Sequence, residues 1–175
     1  MKWDKYFYTL CNAVASKSSC LSRQLGAILV RDNSIVATGF NGPPRGIPHC
    51  DSMERRESII NKSPISSEMQ HQLLTEFNLC PRKLMGFKSG GGLEYCNAAH
   101  AERNCLINAA RLGISTLGTY LYLNAKVLPC KDCMIELINA GIKTIIVEEI
   151  QEYNDIKFLL KHSDIKIRTF NLKEV

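Results

Sequence analysis

Four side chains in two short segments have the types and spacing of a metal centre. "CNAAHAERN" (96–104) contains His100 and Glu102, and "LPCKDC" (128–133) contains Cys130 and Cys133. Two thiols three residues apart can bind one metal ion within a single turn, although a redox pair has the same spacing. One imidazole and two thiolates leave a fourth tetrahedral position for water, which is the ligand set of a catalytic zinc.

Glu102 has a separate role in this arrangement. Residues two apart do not share a helix face, so we do not expect Glu102 to bind the metal beside His100. Zinc lowers the pKa of a bound water to about 7, and a nearby carboxylate can accept that proton and pass it to a leaving group. The alternatives are a structural zinc site, or a redox pair beside an unrelated His-Ala-Glu sequence.

Apolar periodicity predicts the elements that must position these residues. A helix over 3–17 precedes an antiparallel hairpin of strands 25–30 and 34–40, and the loop "NGPPRG" then ends the second strand. Helices and strands alternate further along the chain, with helices over 99–112, 131–140 and 153–163 and strands over 119–124, 143–148 and 165–170. This order predicts an α/β fold of three α/β/α layers, in which a mixed five-stranded sheet has helices on both faces.

The first turns of helices 99–112 and 131–140 are predicted to meet at one edge of this sheet. Their positive ends favour thiolates and a bound hydroxide. The connection 41–97 between the second strand and the helix at 99–112 is unusually long, and one helical stretch is predicted in it, at 65–79. The whole chain has 175 residues, a length that predicts a single domain, 1–175, with this connection inserted in it.

Composition and charge exclude several classes of protein. The chain is 45% hydrophobic and 22% charged, which is typical of a soluble globular protein. Its net charge of +5 is dispersed, and the short basic segments "MERRES" and "CPRK" are predicted to be solvated surface, so nucleic acid is not an expected partner. The sequence shows neither a signal peptide nor the roughly 20 apolar residues of a membrane span, so a cytoplasmic location is predicted.

Eight cysteines in such a chain indicate metal binding or burial rather than disulfides. Cys11 and Cys105 fall within apolar helical patterns and are predicted to lie in the core. Four others, outside the first centre, occupy loops or element ends and could form a second, structural zinc site closed by protein ligands, with His49 as an alternative ligand: Cys20, Cys50, Cys80 and Cys96. The alternative is that these four are buried thiols without a metal.

H-x-E followed by P-C-x-x-C is the signature of zinc deaminases. From about residue 1 to 148, the chain resembles the cytidine/deoxycytidylate deaminase family, and more closely its deoxycytidylate (dCMP) branch. The segments that carry this resemblance are "SSCLSRQLGAILV", "ATGFNGPPRGIPHC", "CNAAHAERN" and "LPCKDC".

The resemblance implies a cytidine-deaminase-like fold, a zinc ion bound by His100, Cys130 and Cys133, and no organic cofactor. It also implies a reaction in which zinc hydroxide attacks C4 of cytosine while Glu102, as proton shuttle, protonates N3 and then the amino group. Ammonia leaves, and dCMP becomes dUMP, a precursor for thymidylate in pyrimidine nucleotide biosynthesis.

The same resemblance suggests how the nucleotide is bound. It implies that Asn41 contacts the sugar and that Arg23 lies near the 5′-phosphate, where a guanidinium forms bidentate hydrogen bonds. Further candidates for substrate contacts are Ala101, Tyr153, Arg45 and Arg103. Arg23 and Arg103 could instead be surface charges, and Tyr153 could pack against the last helix.

Assembly and regulation follow from the resemblance as well. Some family members are hexamers in which a loop related to "NGPPRG" binds dCTP as activator or dTTP as inhibitor, so a homo-oligomer is expected and both nucleotides are candidate effectors. Some dCMP deaminases also carry a second zinc with ligands at positions like Cys20 and Cys50.

Two other functions stay open from the sequence. One is a deaminase of the same fold that acts on cytidine, guanine or adenosine in tRNA. An RNA-binding enzyme would show a concentrated basic face, and a free-nucleoside enzyme would not need Arg23. The other is a zinc-stabilised binding module without activity, against which the presence of Glu102 argues.

Overall fold

The computed structural model of the chain describes residues 2–62, 64–151 and 154–172, so Tyr153 lies outside the described residues. The chain divides into two compact units. The first comprises Met1–Ser18, Leu25–Asn41 and His100–Val175, and the second comprises Ser19–Gln24 and Gly42–Ala99. The second unit thus contains most of the long connection, and the single domain over 1–175 stays a prediction.

The helices and strands follow the predicted order, with two extra helices in the connection. In chain order they are α1 (Trp3–Ala15), β1 (Gly26–Arg31), β2 (Ser34–Phe40), α2 (Met53–Ile60), α3 (Ser67–Thr75), α4 (Pro81–Leu84), α5 (Ala101–Arg111), β3 (Tyr120–Leu123), α6 (Lys131–Asn139), β4 (Thr144–Val147), α7 (Lys157–Lys161) and β5 (Lys166–Thr169). Short 3-10 turns precede α5 and α7, at Leu93–Tyr95 and Asn154–Ile156. In the described part of the chain, no helix has the length and apolar character needed to cross a membrane.

All five strands of the first unit form one mixed sheet in the order β2-β1-β3-β4-β5. Strand β1 is antiparallel to both β2 and β3, whereas β3, β4 and β5 run parallel. The hairpin turns through Asp32 and Asn33, whose φ angles of 50° and 58° match the left-handed conformation of a two-residue hairpin turn. The predicted hairpin and five-stranded sheet are therefore confirmed.

Alternate residues of β1 face opposite layers, as the two-residue period of a strand requires. Ile28 and Val30 pack with Phe7 and Cys11 of α1 on one face. On the other face, Ala27 and Leu29 belong to the core that includes buried side chains of α5 and α6. This is the predicted three-layer arrangement, and Cys11 and Cys105 are fully buried in it, as expected.

Helix α5 lies directly against β2, and a glycine makes that distance attainable. A Cβ atom at Gly39 would lie 2.3 Å from the main-chain nitrogen of Cys105 and 2.6 Å from the carbonyl oxygen of Ala101. Real Cβ atoms do not approach main-chain atoms so closely, so only glycine fits here. The contact fixes the first turn of α5 relative to the sheet.

The second unit is more helical than the sequence pattern indicates. Helix α3 falls within the predicted stretch 65–79, but α2 contains "MERRES", for which the prediction is solvated surface. That prediction is wrong for Arg56, whose side chain is 0% exposed. Ser52 caps α2 by accepting a hydrogen bond from the main-chain N–H of Arg55, a start signal that apolar periodicity does not reveal.

Candidate metal centre and catalytic site

The first turns of α5 and α6 bring the predicted zinc ligands together. His100 is the residue immediately before α5, Cys130 is the residue immediately before α6, and Cys133 lies in the first turn of α6. The Sγ atoms of Cys130 and Cys133 lie 3.5 Å and 3.4 Å from Nδ1 of His100. Bond lengths of about 2.0–2.1 Å to nitrogen and 2.3 Å to sulfur in a tetrahedral zinc site would separate these atoms by about 3.6 Å.

The three ligand atoms form a compact group. All lie within 4.8 Å of one another, and the described residues contain no other group of three His, Cys, Asp or Glu side chains that is as close. The donor set of one nitrogen and two sulfurs suits zinc and leaves one tetrahedral position without a protein ligand. The residues present therefore fit a catalytic zinc ion.

Hydrogen bonds within the group favour a thiolate. The pKa of Cys130 is lowered to about 3, chiefly by a hydrogen bond from the Cys133 thiol and further by His100. Because Cys133 donates that hydrogen bond, and because it is buried, its own pKa is raised. Hydrogen bonding to Cys130 in turn raises the pKa of His100. A metal ion would displace the remaining protons, since it binds thiolates and neutral imidazole.

Glu102 lies in the first turn of α5 and is 4% exposed. Burial raises its pKa above 4.5, while the positive charge of His100 opposes that shift. Its Oε2 atom is buried and accepts no hydrogen bond from the described part of the protein. Buried polar atoms are normally paired, so an unpaired carboxylate oxygen with a raised pKa is suited to exchanging protons with a bound molecule.

An ion pair joins the two helices that carry the metal ligands. Arg103 of α5 donates from Nε to Oε2 of Glu136 on α6 at 2.9 Å, and its Nη2 lies 2.8 Å from Oε1. This two-point contact raises the pKa of Arg103 and fixes α5 against α6. A phosphate-binding role for Arg103 stays a prediction, but the structure already gives its guanidinium a partner.

Asn41 follows β2 directly and is buried. Its Oδ1 accepts a hydrogen bond from the Leu25 main-chain N–H at 2.8 Å and lies 2.8 Å from the Ser18 hydroxyl. Since the oxygen is committed to the protein, any contact of the side chain with a sugar would be made by its NH2 group. Ala101 is fully buried as the first residue of α5, where main-chain N–H groups lack helical acceptors.

The second unit contains the other predicted metal ligands. Cys50 and Cys80 are buried, and Cys96 and Cys20 are half-buried. Burial raises the pKa of Cys50 to about 11, and the nearby thiols of Cys96 and Cys80 contribute to that rise. Thiols from three separate segments therefore lie near one another. Among the described residues, however, these three sulfur atoms do not all lie within 4.8 Å of one another, as the ligand atoms of the first centre do.

Buried polar atoms without a hydrogen bond occur on residues close in sequence to this cysteine cluster, which we define as Cys50, Cys80 and Cys96. Nδ1 of His49 is buried, makes no hydrogen bond within the described residues and lies 4.0 Å from Oδ1 of Asp51. Burial lowers the pKa of His49, which favours the neutral imidazole, while the charge of Asp51 opposes that shift. Neutral imidazole is the form that binds metals. Nε of Arg55 and Oδ1 of Asn97 are likewise buried without described partners. The three thiols and His49 are therefore candidate ligands of a second metal site, although no three of their donor atoms lie within 4.8 Å of one another in the structure.

The two arginines expected near phosphate are exposed in the second unit. Arg23 extends Nη2 to within 3.4 Å of the Ser89 hydroxyl, and Arg45 follows the two prolines of the "NGPPRG" loop. Their roles toward a nucleotide stay predictions.

Sequence analysis did not identify Ser18, Arg55 or Arg56 as residues of a functional site. The one signal for Arg55 and Arg56 was that they are consecutive and follow Cys50 by a few residues.

Comparison with known proteins agrees with this geometry. Residues 1–149 match the family model described as the cytidine and deoxycytidylate deaminase zinc-binding region. The deoxycytidylate deaminase of Schizosaccharomyces pombe is 30% identical over 144 residues, which cover 82% of this chain and 36% of that protein. The deoxycytidylate deaminase of Saccharomyces cerevisiae is 29% identical over 174 residues, which cover 98% of this chain and 46% of that protein. The chain thus spans less than half the length of either yeast enzyme.

A solved structure shows the same fold. The dCMP deaminase of cyanophage S-TIM5, crystallised with dCMP and dUMP, matches with a TM-score of 0.63 and 21% sequence identity. The match covers 97% of this chain and 98% of the cyanophage chain.

Proposed function

We propose, from the premise that the chain belongs to the cytidine and deoxycytidylate deaminase family, that it hydrolyses dCMP to dUMP and ammonia. The observation that carries the proposal is the metal centre itself. Its three ligand atoms lie within 4.8 Å of one another, as the ligands of one zinc ion do. Glu102, two residues after His100, is a buried carboxylate whose Oε2 has no hydrogen-bond partner among the described residues. The likeness to deaminases named for deoxycytidylate supports this choice of substrate.

His100, Cys130 and Cys133 would hold the zinc ion. When bound, the ion supplies Lewis-acid activation of water as a nucleophile at neutral pH. Glu102 acts as the general base and then the general acid, because its raised pKa lets it hold a proton and release it within one reaction cycle. In this role it delivers protons to N3 of cytosine and to the departing amino group.

The remaining substrate contacts are proposals that rest on the family resemblance. The NH2 group of Asn41 would donate to the sugar, held in place by the hydrogen bonds on its Oδ1. Arg23 would provide the charge that distinguishes a nucleotide from a nucleoside. Its substitution by alanine should therefore impair turnover of dCMP and leave the slower turnover of deoxycytidine unchanged.

The loss of ultraviolet absorbance as cytosine becomes uracil tests the activity. The wild type and Glu102→Ala are compared with dCMP, deoxycytidine and dCTP as parallel substrates. We expect dCMP to react fastest, and the variant to keep its zinc without turning over any of the three. If deoxycytidine reacted as fast as dCMP, the enzyme would be a nucleoside deaminase and the proposal would be wrong. No reaction from zinc-loaded wild type would refute dCMP deamination, and cytidine, guanine and tRNA adenosine would be the next substrates.

A second, structural metal site in the cysteine cluster is also proposed. Thiols from separate segments and the buried Nδ1 of His49, which makes no hydrogen bond within the described residues, support it, and Cys20 is a further candidate ligand. Such a site would stabilise a unit that has few apolar anchors, because metal binding supplies folding free energy. The wild-type 175-residue chain should then contain roughly two zinc ions, and Cys50→Ser should contain roughly one.

Location and assembly are proposed on similar grounds. Thiolate ligands must stay reduced, which favours the cytoplasm. Large apolar side chains on or just after α5 and α6 support a homo-oligomer, since they are exposed in the single chain: Ile107, Leu112, Leu117 and Ile135. Light scattering would give the mass in solution. Adding dCTP or dTTP to the deaminase assay would show whether either nucleotide regulates the enzyme.

A further inference from the structure

Arg56 of α2 is a fully buried cation bound by main-chain carbonyl groups of two cysteine-bearing segments. Its Nε donates to the carbonyl oxygen of Cys50. Its Nη2 donates at 2.7 Å to the carbonyl oxygen of Leu79, the residue before Cys80. One guanidinium therefore fixes the main chain at Cys50 and next to Cys80.

Arg55, its neighbour on α2, makes the corresponding contact to the third segment. Its Nη2 donates at 2.5 Å to the carbonyl oxygen of Tyr95, the residue before Cys96. On the other side of Cys96, the Asn97 side chain donates at 2.9 Å to the carbonyl oxygen of Pro48, so the segments that carry Cys96 and Cys50 are also linked directly. The two arginines together thus contact all three segments of the cysteine cluster.

The positive charge of Arg56 is buried and therefore requires a negative charge nearby. Among the described residues, further N–H groups of its guanidinium donate to carbonyl oxygens at the end of α3 and just beyond it: Leu73, Glu76 and Phe77. The negative end of the α3 dipole stabilises a cation only in part. A buried cation is costly unless an anion lies near it, and the carbonyl groups that bind Arg56 include those of Cys50 and of the residue before Cys80.

Thiolates bound to a metal would supply that anion. Zinc with four thiolate ligands carries a net charge of about −2, and zinc with three thiolates and one imidazole carries about −1. Two cationic side chains beside the cluster would balance the charge of the four-thiolate site and would exceed that of the three-thiolate site by one. Neither Arg55 nor Arg56 offers a lone pair for the metal, so both would act from outside the ligand set.

We propose that Arg55 and Arg56 are positioning residues of the second metal site, which hold the segments of Cys50, Cys80 and Cys96 in place and compensate the charge of the bound thiolates. The inference rests on the second metal site proposed above and is independent of the substrate. A purely structural role for the arginines would lower the stability of the fold but, in variants that remain folded without metal, would leave metal affinity unchanged.

The test measures metal affinity rather than activity. The 175-residue chain with Cys130→Ser and Cys133→Ser, which removes both thiolate ligands of the catalytic centre, is titrated with Co²⁺ and Zn²⁺ against a chromophoric chelator. Thiolate-to-cobalt absorption reports the second site directly. Arg55→Gln, Arg55→Lys and Arg56→Lys are introduced in this background. The matched control is Arg82→Gln, because Arg82 also donates to a main-chain carbonyl oxygen, that of Gly91 at 2.7 Å, which is not next to a cysteine.

We expect Arg55→Gln to weaken metal binding about 10- to 100-fold, as loss of a residue that orients metal ligands does elsewhere. Arg55→Lys should recover part of the affinity because it keeps the charge, and Arg82→Gln should match the background protein. Arg56→Lys should weaken binding too, since an ammonium cannot reach several carbonyl groups at once. If Arg56→Lys does not fold, the half-buried Arg55 decides the question.

Two failures are distinguishable. If folded Arg55→Gln binds cobalt and zinc as tightly as the background protein, the positioning role is wrong while the second metal site stands. If Cys50→Ser in the otherwise natural chain loses neither zinc nor thiolate absorption, the second site is wrong and the inference is wrong with it. Deaminase activity toward dCMP is measured separately and bears on neither outcome.

Discussion

At the scale of single residues, Glu102 combines features that a structural carboxylate would avoid. It is buried, its pKa is raised by that burial, and Oε2 accepts no hydrogen bond from the described residues. Burying a carboxylate oxygen without a partner costs free energy of folding, which proteins tolerate chiefly at functional sites. Its position in the first turn of α5 places this cost beside the three metal ligands.

Glu102→Gln should separate catalysis from metal binding. Glutamine keeps the shape of the side chain but cannot accept and return a proton, so kcat for dCMP should fall by about 10² to 10⁴. Zinc content and the free energy of unfolding should not decrease, because no ligand is lost and a buried ionisable group is removed. Glu149→Gln is the control, since its exposed carboxylate lies 3.8 Å from Lys126. A glutamine variant that retains full activity would contradict the proton-transfer role.

Ser18→Ala tests whether the orientation of Asn41 matters. The Ser18 hydroxyl lies 2.8 Å from Oδ1 of Asn41 and 2.6 Å from its carbonyl oxygen. Its loss should raise KM for dCMP severalfold and cost about 0.5–1.5 kcal/mol of stability, because the Leu25 N–H still donates to Oδ1. Ser16→Ala removes an exposed hydroxyl at the same end of α1 and should change neither value. An unchanged KM in Ser18→Ala would show that Ser18 does not position Asn41 for the substrate.

At the scale of elements, the metal centre depends on where two helices begin. Both α5 and α6 pack on one face of the sheet through buried side chains, and the Arg103–Glu136 pair links them one turn beyond the ligands. The close approach of β2 at Gly39 sets the position of α5. Ligands from separate parts of the sequence therefore converge because the sheet positions the helices.

Gly39→Ala should disturb this packing. The added methyl group would overlap main-chain atoms of Cys105 and Ala101, which cannot rotate away as a side chain could. We expect a loss of about 1–3 kcal/mol in the free energy of unfolding, measured by denaturant titration, together with weaker zinc retention. Gly91→Ala is the control, since a Cβ there meets its nearest atom at an ordinary 3.4 Å. Equal stability of the two variants would contradict the packing argument.

At the scale of the whole chain, residues near its two ends meet in the first unit. Asp4 of α1 accepts hydrogen bonds from the Arg168 guanidinium of β5 at 2.7 Å and 3.0 Å, and from the main-chain N–H of Asn171 at 2.8 Å. Burial raises the pKa of Asp4, but these hydrogen bonds and the charge of Arg168 outweigh burial, so the pKa lies below 3.8. The contact joins the outer strand β5 to the helix that covers one face of the sheet.

Acid should weaken this contact. Because the folded pKa of Asp4 is depressed, its contribution to stability is fully present above the unfolded pKa of about 3.9 and is lost as pH falls through the folded value. Asp4→Asn should therefore lower stability at neutral pH and have progressively less effect below about pH 4. Thermal unfolding of both proteins across this range tests the prediction. Asp32→Asn, in the exposed hairpin turn, is the comparison. A difference between Asp4→Asn and wild type that does not shrink in acid would exclude Asp4 as the responsible group.

Several features could be read from the sequence because they depend on local patterns. Apolar periodicity and turn residues predicted the hairpin, the five strands and the helices that carry His100 and Cys133. The pairing of H-x-E with P-C-x-x-C predicted that His100, Cys130 and Cys133 come together, since each half has a fixed spacing within one helical turn, and the structure places their ligand atoms within 4.8 Å of one another. Burial of Cys11 and Cys105 followed from the same periodicity, and the structure confirms it.

Other features required the tertiary structure because they depend on contacts between distant segments. Arg56 lies in a strongly charged segment that reads as solvated surface, and only its carbonyl partners on other segments make its burial favourable. The unpaired Oε2 of Glu102 and the hydrogen bonds that hold Asn41 also come from packing. Sequence determined which groups are available for chemistry, whereas tertiary structure decided their partners, since hydrogen bonds and desolvation are set by neighbours in space.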